Sequence, residues 1–190
     1  MTTILGFNKT HIEQARELIL ANYNEERSIV IDLPQIDAIP IEEFDEFTDN
    51  KLGVVMFDGE KMLGFMCCYN PWNNAFDSTA KGTFVPTHAH GSISENRGMI
   101  YKKLYQTAAE IWVKHGITYH SIGLYAHNLQ AKDAFFACGF GLRCIDFILL
   151  HQKADASLSK HPLFVAVKLH FDEAALSPPF TVHILVVDCE

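Results

Sequence analysis

Residues 117–140, ITYHSIGLYAHNLQAKDAFFACGF, decide the fold. The first nine of them, Ile117–Tyr125, are apolar and aromatic in the way that is typical of a buried strand. Asn128 suits the N-cap of a following helix, because its side chain can accept a hydrogen bond from a first-turn amide. Gly139 suits the left-handed position that ends a helix. Since Phe140–Leu150 is again apolar, the sequence predicts a strand–helix–strand unit here.

The unit resembles the C-terminal half of the GNAT superfamily, the acetyl-CoA-dependent N-acetyltransferases. The resemblance rests on five residues at offsets 0, 3, 7, 11 and 12, which are Asn128, Ala131, Phe135, Gly139 and Phe140. It extends over residues 11–150 and is most specific from Gly98 onward. It implies an α/β (α+β) fold in which a central mixed, largely antiparallel sheet is flanked by helices on both faces. It also implies an acyltransferase that uses acetyl-CoA as co-substrate.

Composition limits the partners. The chain has 190 residues, of which 48% are hydrophobic, enough for one domain core. Its net charge of −8 argues against nucleic-acid and anionic membrane partners, which require clustered Lys and Arg, and suits an amine substrate. The five cysteines are odd in number and form no CxxC pair, so we expect reduced core thiols. With no charged leader and no run of 18 apolar residues, the sequence predicts a cytoplasmic protein.

Periodicity and turn residues predict further elements along the chain. Asp58-Gly59 is the strongest short hairpin signal. The predicted strands are Thr2–Phe7, Leu52–Phe57, Lys61–Tyr69 and Lys81–Pro86. The predicted helices are His11–Tyr23, a short acidic helix over Ile41–Phe47, and Gly98–His115. The intervening segments are an irregular crossover over Ile29–Pro40 and a polar loop over Thr87–Asn96.

The last forty residues differ from the rest of the chain. We predict a GNAT-like domain over residues 1–150 and a C-terminal β-rich extension over 151–190, with strand-like runs at Leu163–Phe171 and Phe180–Val187. The extension is expected to complete the sheet or to pair with a partner, since an uncovered apolar strand over Thr181–Val187 would be an adhesive edge. A homodimer through this strand, or a tandem arrangement with another copy, follows as an expectation.

The resemblance implies a pyrophosphate site where a strand gives way to the helix that begins near Gly98, because free amides and the helix dipole attract phosphate. The family loop reads Gln or Arg, two residues, Gly, one residue, then Gly or Ala. Arg97 fits its first position, but Ile100 and Lys102 stand where small residues are expected. Either the amides still receive phosphate, with charge added by the basic residues, or the large side chains block it. The implied cofactor-binding residues are Arg97, Gly98, Met99, Ile100, Tyr101, Lys102, Lys103, Asn128 and Phe135.

Acetyl transfer needs a base for the amine, a donor for the oxyanion and an acid for the thiolate. Many GNAT enzymes place the acidic tyrosine where this chain has Phe135, which cannot donate a proton. Tyr125, at the end of its strand, is the predicted substitute acid, with Tyr101 as an alternative. His88 and His90 are the predicted bases, since histidine titrates near neutral pH. No carboxylate or cysteine at suitable spacing completes a metal site with them, so we expect no metal.

Two hypotheses of different classes remain open. The first is an N-acetyltransferase in which a primary amine of a small molecule attacks acetyl-CoA directly. The second is a catalytically inactive GNAT-like module that binds CoA or is purely structural. The departures at the phosphate loop and at Phe135 favour the second, whereas a positioned amine that reacts without a dedicated acid is compatible with the first.

Overall fold

The structure is a computed structural model that describes residues 2–30, 33–40, 44–145 and 184–189. Within these residues the helices are α1 (Ile12–Ile29), α2 (Asp45–Asp49), α3 (Arg97–Lys114) and α4 (Leu129–Ala137). The strands are β1 (Thr2–Gly6), β2 (Val54–Asp58), β3 (Lys61–Met66), β4 (Gly82–Val85), β5 (His90–Ser92), β6 (Tyr119–Tyr125), β7 (Gly141–Ile145) and β8 (Ile184–Cys189). In the described part of the chain no helix is long and apolar enough to cross a membrane.

The strands form two four-stranded halves, in the orders β1-β2-β3-β5 and β4-β6-β8-β7. The β4–β6 pair is parallel and the other described pairs are antiparallel, so the predicted mixed, largely antiparallel sheet is confirmed. β4 and β5 are separated by only Pro86–Ala89, yet they pair with different neighbours. The chain therefore passes from one half of the sheet to the other between β4 and β5.

Helices cover both faces of the sheet, as predicted. A Cβ atom added to Gly91 of β5 would lie 3.2 Å from Leu18 of α1. One added to Gly64 of β3 would lie 2.8 Å from Ile100 of α3. Gly91 is paired with Phe65, the neighbour of Gly64, so the two glycines face opposite sides of the sheet. Their lack of a side chain lets α1 and α3 pack closely against the strands.

The predicted elements differ from the structure most clearly at α1 and at β5. α1 continues past Tyr23 to Ile29, because the buried stripe of its core face continues through Asn22 and Glu26. The predicted polar loop over Thr87–Asn96 contains β5, which is a buried strand despite its composition. Backbone pairing with β3, in the register of Gly64 with Ser92, forms this strand without the help of an apolar pattern.

The C-terminal strand is part of the sheet. β8 lies between β6 and β7 and runs antiparallel to both, so each of its edges is paired within this chain. The first strand-like run of the extension, Leu163–Phe171, lies outside the described residues. The division of the chain at residue 150 stays a prediction.

We expect Gly64→Ala to destabilise the protein. The new Cβ would lie 2.8 Å from an Ile100 methyl and 2.9 Å from the Gly91 carbonyl oxygen, which as backbone cannot easily move. Overpacking of this kind should lower the free energy of unfolding by about 1–3 kcal/mol in urea denaturation. Gly6→Ala is the matched control, since no atom lies within 4 Å of its added Cβ. Equal stability of the two variants would contradict the close packing of α3 on β3.

Candidate active site

The cleft between β5 and β6 is the centre of the site. β6 pairs in parallel with β4 only as far as Ile122, and β5 pairs with β3 instead of with β6. The cleft is bridged by the imidazole of His90, whose Nε2 atom lies 2.8 Å from the carbonyl oxygen of Gly123 on β6. One side chain thus joins the two halves of the sheet where their backbones do not pair.

His90 is neutral in this position. It is 4% exposed, and burial lowers its pKa from 6.5 to about 4. Its Nδ1 atom lies 2.9 Å from the hydroxyl of Tyr101, which is itself buried. The consistent tautomer donates from Nε2 to Gly123 and accepts at Nδ1 from Tyr101. Both ring nitrogens of this predicted base are therefore engaged within the protein.

The edge of β5 that faces the cleft is occupied by a side chain of α1. The amide nitrogen of Asn22 donates to the Ser92 carbonyl at 2.8 Å, and the Ser92 amide donates to Asn22 Oδ1 at 3.2 Å. Asn22 is 7% exposed. Its carboxamide completes the hydrogen bonds of Ser92 much as the backbone of a neighbouring strand would.

A side chain of α1 also holds Arg97, at the start of α3. Its guanidinium makes a bidentate ion pair with Glu25 at 2.7 and 2.9 Å, and its Nε donates to the Ile93 carbonyl. Arg97 is 7% exposed. Because Glu25 balances its charge, Arg97 offers a bound phosphate less positive charge than the sequence predicts.

The N-termini of α3 and α4 meet beside the cleft. A Cβ added to Gly98 would lie 3.3 Å from the carbonyl oxygen of Gln130 in the first turn of α4. The first helical hydrogen bond of α3 runs from the Ile100 amide to Asn96, so the preceding amides have no intrahelical acceptor. Lys102 and Lys103 are exposed one turn further on. Two positive helix ends and two lysines fit the pyrophosphate of CoA.

A small pocket of about 60 Å³ opens where α1 faces the end of β6. Its lining residues are Asn22, Glu25, Glu26, Ile29, Arg97, Tyr125, His127 and Asn128. Burial raises the pKa of Tyr125, so its phenol is protonated at neutral pH. Glu26 is 4% exposed, and its Oε1 lies 3.0 Å from Nδ1 of His127. A phenol, a carboxylate and an imidazole therefore share one pocket.

Among the other predicted site residues, Asn128 also lines this pocket, whereas Phe135, Ile100 and Met99 do not. Asn128 caps α4 by accepting from the Ala131 amide at 3.1 Å, as predicted. Phe135 is buried against the rings of Tyr101 and Phe140, at centroid distances of 5.5 and 5.4 Å. Ile100 is also in the core, whereas Met99 is 59% exposed.

His88, the other predicted base, lies apart from this pocket. It is half-buried, and its ring packs 5.7 Å from that of Phe47 and 6.2 Å from that of Tyr69. Cys67 and Cys68 are buried free thiols, and burial raises the pKa of Cys68 to about 12. Among the described residues no cluster of three or more His, Cys, Asp or Glu side chains has the arrangement of a metal site.

The chain has the fold of the GNAT acetyltransferases. The NatC complex bound to Gag peptide and CoA matches with a TM-score of 0.62 and 12% identity, over 99% of this chain and 97% of that one. The ribosomal-protein-S18-alanine N-acetyltransferase from Escherichia coli matches with a TM-score of 0.56 and 12% identity, over 100% of this chain and 93% of that one. The protein yncA from Salmonella typhimurium, solved with its cofactor acetyl-CoA, matches with a TM-score of 0.56 and 10% identity, over 100% of this chain and 93% of that one. No family model and no curated protein matches the sequence.

Three functional candidates escaped the sequence analysis: Asn22, Glu26 and His127. Asn22 and Glu26 occupy the buried stripe that Ile12, Ala15 and Ile19 begin. A polar residue at a core position of an amphipathic helix is the signal that could have found both. His127 precedes the capping asparagine and carries no such signal, because only the fold brings it to α1.

We expect His90 to make stability depend on pH. The folded pKa of about 4 lies below the ordinary 6.5, so the unfolded chain binds the proton first. Stability should fall by up to about 3 kcal/mol as pH drops from 6.5 towards 4. Urea denaturation across this range should show a smaller loss for His90→Gln than for the natural protein. Burial also lowers the pKa values of His11 and His120, but both histidines are present in the variant and in the natural protein. Identical pH slopes would contradict a neutral, buried His90.

Proposed function

We propose that this protein is an N-acetyltransferase that transfers the acetyl group of acetyl-CoA to a primary amine of a small molecule by direct attack, without an acyl-enzyme. The observation that carries the proposal is the meeting of two helix N-termini beside the cleft between β5 and β6. This arrangement suits a long ligand with an anionic end, and it occurs in a chain with the GNAT fold.

The residues of α3 and α4 would hold the co-substrate. The amides of Gly98 and Met99, with the Lys102 and Lys103 ammonium groups, would bind the pyrophosphate. Asn128 lines the pocket, which would receive the acetyl end of the ligand. When bound, acetyl-CoA supplies an acetyl group activated as a thioester.

Tyr125 is the proposed general acid. Its phenol lines the pocket and is protonated at neutral pH, so it carries a proton that a departing thiolate can take. Tyr101, the alternative, is buried and bonded to His90, so Tyr125 is the better placed of the two.

The acceptor is the open part of the proposal. Solved structures of the same fold include a complex with a peptide and an enzyme that acts on a ribosomal protein, so a protein α-amine is a second acceptor class to test. The chain's net charge of −8 suits a cationic amine of either kind. A cytoplasmic location and a homodimer remain predictions, and the pairing of both edges of β8 does not support a dimer through that strand.

A catalytically inactive module is the second candidate. It is favoured by Phe135, which replaces the family's acid, and by the engagement of Arg97 with Glu25. The contact of Asn22 with Ser92 favours it too, because the backbone groups of Ser92 at that edge of the cleft already have hydrogen-bond partners and are not available to a ligand.

We expect acetyl-CoA and CoA to bind saturably in calorimetric titration. Replacing both exposed lysines, Lys102→Gln with Lys103→Gln, should weaken binding about tenfold, or about 1.4 kcal/mol, by removing charge beside the pyrophosphate. Lys114→Gln, in the last turn of the same helix, is the control and should bind as the natural protein does. No binding at millimolar ligand would overturn the enzyme proposal and favour a structural module.

We expect Tyr125→Phe to lower kcat about tenfold to a hundredfold with CoA affinity unchanged, because the phenol acts on the leaving thiolate. A thiol-release assay with acetyl-CoA and a panel of alkyl amines and α-amino dipeptides measures the rate. Tyr119→Phe, on the same strand, serves as the control. A rate unaffected by Tyr125→Phe would assign the proton to solvent.

A further inference from the structure

Glu26 is an unusual residue for a helix core. Carboxylates are seldom buried unless they are paired, yet Glu26 lies on the buried face of α1 with 4% of its surface exposed. Its described partner is His127, which lies 101 positions along the chain and follows the end of β6. The fold therefore brings together a carboxylate and an imidazole from two separate elements.

The contact fixes the imidazole. Because Oε1 of Glu26 accepts from Nδ1 of His127 at 3.0 Å, the ring's lone pair lies on Nε2. The side chain of His127 is 45% exposed, whereas that of Glu26 is 3% exposed. A buried carboxylate thus orients an accessible imidazole at the wall of the pocket that also contains Tyr125.

The neighbouring acidic residue differs in kind. Glu25 is neutralised by the bidentate contact with Arg97, so the two charges cancel. Glu26 has no such cation among its described contacts. The carboxylate of Glu26 is therefore paired with an imidazole and not with a permanent cation, which favours a positively charged acceptor in this pocket.

We propose that His127 is the general base of the acetyl transfer, that Glu26 is its positioning residue, and that the acceptor is a cationic primary amine drawn to this carboxylate. The inference rests on the proposed function and assigns the base that it leaves open. It differs from the sequence prediction, which named His88 and His90.

The protons of the proposed acetyl transfer balance. The ammonium of the acceptor gives one proton to Nε2 of His127, and the free amine nitrogen attacks the thioester carbon. A C–N bond forms and the C–S bond breaks. The thiolate takes a proton from Tyr125, the second proton of the nitrogen restores the phenol, and the imidazolium of His127 releases its proton to solvent. The net products are the amide, the CoA thiol and one proton released to solvent.

The test compares His127→Gln and Glu26→Gln in the intact protein, with the thiol-release assay and alkyl primary amines as probes. We expect His127→Gln to lower kcat/KM by about 10²- to 10³-fold and Glu26→Gln by about tenfold or more. The affinity for CoA measured by calorimetry should stay within about twofold. The controls are His115→Gln, an exposed histidine at the end of α3, and Glu17→Gln, an exposed glutamate of α1.

Two readouts separate a base from a structural residue. The pH profile of kcat/KM should lose its acid limb in His127→Gln, and added imidazole should restore part of the rate in His127→Ala. The charged and titratable groups that face His127 are Glu25 and Glu26 from α1, Arg97 from α3 and Tyr125 from β6. Their side chains are all retained in His127→Gln and His127→Ala, so loss of the acid limb together with rescue by imidazole reports the imidazole.

The outcomes are distinguishable. A natural protein that binds CoA but acetylates none of the amines overturns the proposed function together with its base. An active natural protein whose rate, pH profile and imidazole response are unaffected by His127→Gln overturns only the assignment of the base. Should Glu26→Gln fail to fold, His127→Gln decides alone, because its half-exposed side chain can be replaced without opening the core.

Discussion

The two hydrogen bonds of His90 are the constraint on which the site depends. The chain leaves one half of the sheet at the end of β4 and joins the other at β5, so the backbones of β5 and β6 cannot pair across the cleft. Nε2 of His90 meets the Gly123 carbonyl, and Nδ1 meets the Tyr101 hydroxyl of α3. In the neutral ring Nε2 donates to the Gly123 carbonyl and Nδ1 accepts from the Tyr101 hydroxyl, so both contacts are made without a charge on the imidazole. Burial, which favours the neutral ring, and geometry therefore act in the same direction.

The same cleft explains why α1 carries polar residues on its buried face. Asn22 satisfies the cleft-facing edge of β5, and Glu25 neutralises the arginine at the start of α3. Glu26 orients His127 beyond the end of β6. Each contact joins α1 to a different element around the cleft. An apolar residue at position 22 would leave the Ser92 amide buried without its partner, at a cost of about 1–3 kcal/mol, and one at position 25 would remove the carboxylate that balances the charge of Arg97.

Much of the fold could be predicted because local patterns and tertiary packing agree. The Asp58-Gly59 turn, the apolar stripe of α3 and the Asn128 cap each specify structure within a few residues. β5 could not be predicted in this way, since its sequence, His-Gly-Ser, becomes a strand only through its pairing with β3. The candidate site, like β5, is formed by contacts between residues that are distant in sequence. Glu26 and His127 are 101 residues apart, and nothing in either local sequence indicates the other.

Phe135, at the position where many GNAT enzymes have a tyrosine, does not by itself exclude acid–base chemistry in this fold. Phe135 sits among Tyr101, Tyr105 and Phe140 in a continuous aromatic core, where a hydroxyl would need a new hydrogen-bond partner. The polar groups lie instead at the end of β6 and on α1. A proton donor and acceptor can act from there, because acid–base catalysis depends on the distance to the reacting atoms and on pKa, and not on the element that carries the side chain. In this chain, therefore, α4 contributes packing and a helix N-terminus, whereas α1 contributes the charged groups of the pocket.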